Sequence, residues 1–173
     1  MADPLDALGP DRPRYDDHPE FTPDLSPARM LKAGVFDGGY FDGWGDDQLE
    51  GIDPAILKAG AYREKPDAKA GNAFGIHSGL NHAEWTKRGW LRDQDPVGWF
   101  QWYCRFHSGR RTDDDDRQIK RWVDFRKRWQ PKTHEALERM RPGAKTRQAL
   151  LNWGIDPWMP EHGLGIDLSN HKD

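Results

Sequence analysis

The chain contains one cysteine, Cys104, in 173 residues, so no internal disulfide can brace the fold. That absence fits a reducing compartment, and a cytoplasmic location is the expectation. Long apolar runs are also missing: nothing approaches the roughly 18 consecutive apolar residues of a membrane-spanning helix, so no membrane partner is expected. The first residues, MADPLDALGPDRPRYDDHPE, lack the basic and apolar regions of a secretory signal. No segment alternates between apolar and polar at period two, which argues against strands. Neither a glycine loop ahead of a Lys-Ser or Lys-Thr pair nor a zinc-ligand spacing occurs, so no cofactor and no metal are expected.

Apolar residues make up only 35% of the chain and charged residues 32%. The balance is restored by 9 Trp, 7 Phe and 4 Tyr. Each buried aromatic withdraws roughly 150–250 Å² from water, so a small core can be built on aromatics alone.

Helix boundaries are written in the punctuation. Ser26-Pro27 opens a helix that Gly34 closes, and Asp53-Pro54 opens a second, closed at Gly60. Their shared LKAG segments reflect either an internal duplication or the same start and stop chemistry used twice. Asn81 and Gly89 bracket a third helix, and Asp95-Pro96 and Gly109 a fourth. A fifth starts within Asp113–Asp116 and runs to about Trp129, with Pro131 as its boundary. A sixth covers roughly Thr133–Met140, and a seventh about Lys145–Trp153 ends at Gly154. The fold class expected is all-α: a compact bundle of about six or seven short helices. Residues 1–24, acidic and Pro-rich, read as a disordered arm, residues 25–158 as the single helical domain, and residues 159–173 as a flexible tail.

The stretch WFQWYCRFH lies on the fourth helix. At about 100° per residue, Val97, Trp99, Phe100, Trp102, Tyr103, Cys104, Phe106 and His107 sweep an arc of roughly 220°. A surface helix needs only about 100° of apolar stripe, so this one is the centre of the core. Gln101, Arg105, Gly98 and Ser108 take the remaining side. Cys104 lies in the arc and reads as a small buried hydrophobe.

Charge is unevenly spread. The net charge is −3, yet residues 104–150 hold 14 basic and 7 acidic side chains, a local balance of +7. On the fifth helix Ile119, Trp122, Val123, Phe125 and Trp129 share one side, and Arg117, Lys120, Arg121, Lys127 and Arg128 the other, with Asp124 among them. Arg110 and Arg111 precede it. These seven cations form the candidate nucleic-acid-binding set, suited to phosphate contacts. The four aspartates at the helix start complement its dipole. A pI of about 6.2 counts against a polyanion partner.

Two alternatives come from elsewhere. The Gly34–Asp47 loop, rich in glycine, aspartate and large aromatics, suggests a protein-interaction or assembly module. Asp37, Asp42, Asp46, Asp47 and Glu50 do not follow the spacing of a calcium loop. His77, His82 and His107 suggest an enzyme pocket of unknown class, in which Ser78 or Asp93 could assist acid–base work.

The segments GWFQWYCR followed by GRR, ML-x-x-GVF-x-GGYF and RQALL-x-W resemble those of a group of Trp-rich proteins that share them. The likeness spans roughly residues 26–156. It implies one compact domain and carries no activity with it.

Overall fold

The computed structural model describes residues 9–36, 39–61, 71–76, 79–139 and 143–157, the side chains of 130–139 excepted. Seven helices and no strand occur among them: α1 Pro27–Lys32, α2 Asp46–Leu49, α3 Pro54–Gly60, α4 His82–Lys87, α5 Trp99–His107, α6 Asp115–Arg139 and α7 Ala144–Asn152. The all-α expectation therefore holds for the described residues.

The polar caps form where the residue types place them. Ser26 Oγ accepts from the Arg29 amide, Asp53 from Ala55 and Asn81 from Glu84, satisfying first-turn N–H groups. Helices α1 and α3, each with proline in its first turn, pack against one another, and α1 also meets α5. Gly60 does not act as a left-handed cap. It is the last residue of α3, and a β-carbon there would stand 2.3 Å from Cδ2 of Phe41. Gly60→Ala is expected to drive Phe41 off its seat and to cost about 1–3 kcal/mol, read as a lowered denaturation midpoint.

Helix α5 is the axis of the core. Every side chain from Trp99 to Phe106 is buried, and Trp102, Tyr103, Cys104 and Phe106 are wholly so. Trp102 donates its indole N–H to Asp115 at 2.9 Å, and Tyr103 its hydroxyl to the Leu25 carbonyl at 2.9 Å. Burial pushes the Cys104 thiol well above its ordinary range, so it stays protonated at neutral pH.

Four boundaries differ from the sequence reading. Asp95-Pro96 does not open α5; the helix starts at Trp99 behind Gly98, whose φ is +115°. The Asp95 carboxylate instead points inward to two arginines, and the Gln101 side chain accepts the Val97 amide. Pro131 does not end α6, which runs from Asp115 to Arg139. Proline forfeits the hydrogen bond to residue 127, but its fixed φ is itself helical, so the backbone continues. The separate sixth helix thereby becomes the far end of α6. Finally, residues 9–24 are no free arm. Phe21 is fully buried, its ring 5.3 Å from Tyr103, 5.6 Å from Phe106 and 5.1 Å from Trp122. The tail at 159–173 lies outside the described residues.

Polar contacts tie the N-terminal segment down as well. Asp11 accepts from the amide and hydroxyl of Ser26 at 2.7 and 2.5 Å, and Arg111 grips Asp17 at 2.6 Å. Tyr15 and His107 share a 2.7 Å hydrogen bond between the phenol and Nδ1. Burial lowers the His107 pKa below the ordinary 6.5, against a smaller opposing pull from Asp11 and Asp53. The unfolded chain therefore binds this proton more readily than the folded one. Stability contributed by neutral His107 is present above the ordinary imidazole value and is lost as the pH falls through it. Denaturation midpoints at about pH 7.5 and about pH 5.5 should fall with acidification, and His107→Gln should remove part of that fall. An equal fall in both proteins contradicts the assignment.

Candidate nucleic-acid interface

The seven cations singled out in the sequence divide into two groups. Arg110 and Arg111 serve the fold. Gly109, at φ +108°, reverses the chain at the end of α5, so that the Arg110 amide reaches back to the Arg105 carbonyl at 3.0 Å. That turn brings the Arg110 guanidinium to Asp95, where that of Arg105 already lies. Arg105 bonds one carboxylate oxygen at 3.0 Å and Arg110 the other at 2.6 Å, with Asp95 only 1% exposed. Arg111 lies 3.9 Å from the Phe106 ring centroid while it holds Asp17.

The remaining five are on α6. Arg117 makes a two-pronged contact with Asp114, at 2.5 and 2.8 Å, and reaches the Trp90 carbonyl at 3.3 Å. Lys120 pairs with Asp124 across one turn at 2.5 Å, both side chains open to solvent. Such a pair is worth little and exchanges readily for another anion. Lys127 and Arg128 are exposed and act on Asp124 electrostatically. Arg121 has no carboxylate partner among the described residues. It donates to Gln118 at 2.9 Å and lies between two indoles, 5.5 Å from Trp90 and 5.7 Å from Trp153.

Arg121 leads to residues that the sequence reading passed over. Helix α4 ends in a left-handed Gly89, φ +65°, and the Trp90 amide closes the turn on the Trp85 carbonyl at 3.0 Å. The turn presents Trp90 outward, 37% exposed. Arg88 lies 5.2 Å from its ring, and among the described residues the side chain of Arg92 bonds to the Gly89 and Leu91 carbonyls. Arg88 and Arg92 are exposed. Neither forms an ion pair among the described residues, although Asp93 is also exposed beside them. Burial lowers the Arg121 pKa most, and repulsion from Arg117 lowers it further; Asp114 opposes this, and Arg92 adds a push smaller than the Asp114 pull. Arginine charges are thus crowded around one exposed indole, without a carboxylate for each.

The platform is braced from within. Trp153 stacks on Phe125 at 5.0 Å and meets Trp99 at 4.9 Å, and its carbonyl accepts the Trp122 indole N–H at 2.8 Å. The exposed indole is therefore the outer end of an aromatic and cationic ladder that starts in the core.

The described residues of the other two readings make contacts within the chain. No group of three or more His, Cys, Asp or Glu side chains that could hold a metal ion occurs among the described residues. His82 bonds the Pro96 carbonyl at 2.9 Å and His107 bonds Tyr15; His77 and Ser78 lie outside the described residues. The Gly34–Asp47 loop folds its aromatics inward. Phe36 stacks on Tyr40 at 4.1 Å, and both rings abut Phe100, at 5.0 and 5.2 Å. Residues 37 and 38 of that loop lie outside the described residues.

No helix among the described residues is long and apolar enough to cross a membrane. No protein-family model matches the chain, and neither a curated protein nor a solved structure does.

Proposed function

We propose that this chain is a nucleic-acid-binding module, acting through the arginine face formed by α6 and the turn after α4. The observation that carries the reading is the gathering of Arg88 and Arg121 at the Trp90 ring, with Arg92 near enough to act on Arg121, and none of the three has a carboxylate partner among the described residues. Like charges held together raise each other's free energy, and a phosphate backbone laid across them relieves that cost while releasing its own counterions. Arg117, Lys127 and Arg128 extend the face along α6, and Lys120 joins it by exchanging Asp124 for phosphate. Arg110 and Arg111, the first two of the cations expected from the sequence, support the fold and leave the contact to Arg88 and Arg92.

The chain as a whole is acidic, so binding is local and weakens steeply with salt. The test is fluorescence anisotropy of a labelled oligonucleotide at about 50 mM and about 200 mM salt. The reading expects binding at the lower concentration and a loss of at least about tenfold at the higher. Absence of binding at both contradicts it.

A further inference from the structure

The structure assigns Trp90 as a base-stacking site, which makes single-stranded nucleic acid the preferred ligand of the arginine face. This inference rests on the nucleic-acid reading and narrows it. Bases of a duplex turn their flat faces to one another, and only an unpaired base offers a face to an exposed indole. The Trp90 backbone is fixed, its amide closing the α4 turn and its carbonyl accepting from Arg117, and the ring itself is met by Arg88 and Arg121. Arg88 lies over the ring, 5.2 Å from its centroid, and a guanidinium is itself a planar surface on which a base can stack, or one that gives up the indole face to it. Arg92, exposed two residues along and without a carboxylate partner among the described residues, is then the cation offered to a neighbouring phosphate. An unpaired base between flanking phosphates is the ligand whose chemistry matches an indole ringed by arginines. The arrangement reads no base edge, so sequence preference should be weak.

The test uses the full chain with three probes: a single-stranded oligonucleotide, the matching duplex, and inorganic polyphosphate, a polyanion without bases. Trp90→Ala should weaken the single strand about tenfold to a hundredfold and leave polyphosphate unchanged, while Trp90→Phe retains most of the affinity. The wild-type chain should favour the single strand over the duplex. Trp90 is 37% exposed and meets two arginines, so the thermal midpoints of the variants should fall only slightly, and measuring them separates loss of stacking from loss of fold. If the wild type binds nucleic acid but Trp90→Ala leaves the single strand unaffected, or weakens polyphosphate equally, stacking is overturned and the arginine face stands. If the wild type binds neither nucleic-acid probe, both fall together.

Discussion

Replacing Arg105 with alanine is expected to cost about 3–5 kcal/mol and to leave little folded protein at 37 °C. This arginine is 6% exposed, on the side of α5 that the apolar arc leaves over. Its Nε donates to the Glu50 carbonyl at 2.9 Å, and Nη1 to the Gln94 carbonyl at 2.5 Å and to Asp95 at 3.0 Å. Nη2 donates to the carbonyls of Asp47 and Gln48 at 2.7 and 3.2 Å. Five acceptors from two distant segments therefore converge on one cation. Alanine strands four part-buried carbonyls and the buried Asp95 carboxylate, and an unpaired buried acceptor costs about 1–3 kcal/mol before any charge is counted. Arg105→Lys keeps the charge but loses the planar fork, so it should recover only a minor part of the loss. The check is chemical denaturation of both variants; a loss below about 1 kcal/mol would falsify the role given to this residue.

The second large effect separates arginines that hold the fold from arginines that hold a ligand. Arg88→Gln/Arg92→Gln/Arg121→Gln removes three cations that lack carboxylate partners among the described residues, so the denaturation midpoint should change little. Removing mutual repulsion offsets the packing lost around Trp90. Affinity for a single-stranded oligonucleotide should fall about a hundredfold, at roughly 1 kcal/mol per contact. Arg110→Gln should behave in the opposite way. It leaves one oxygen of buried Asp95 without its partner, at a cost of about 1–3 kcal/mol in stability, and binding by the remaining folded protein should be unchanged. Equal losses of affinity in the two proteins contradict the division.

The sequence was most informative where a local rule fixes a local structure. Ser26, Asp53 and Asn81 cap the helices that they precede, and Gly34, Gly89, Gly109 and Gly154 all adopt positive φ after helices. The density of aromatics on α5 was enough to place that helix at the centre. What remained hidden depends on partners far away in the chain. Arg105 and Gln101 read as polar because nothing near them in sequence reveals the carbonyls of residues 47–50 that receive them. Asp95 resembled a helix cap because Asp-Pro often is one, and only the reversal at Gly109 brings Arg110 to it. Phe21 and Tyr15 were lost in the averaged composition of an acidic, Pro-rich segment, although two rings suffice to anchor it. Trp90 was visible only as the residue after a glycine cap. Its platform exists because α6 carries Arg117 and Arg121 past that turn, a meeting that no periodicity encodes.

The most direct measurement is the dependence of single-strand affinity on salt, compared between the wild type and the Arg88, Arg92, Arg121 variant. On a plot of log K against log salt, each phosphate neutralised contributes a slope of about −0.7 for single strands, so three such contacts account for about −2. The wild type should therefore be steeper than the variant by about that amount. Identical slopes in the two proteins, or a flat wild-type line, contradict an arginine face that binds phosphate.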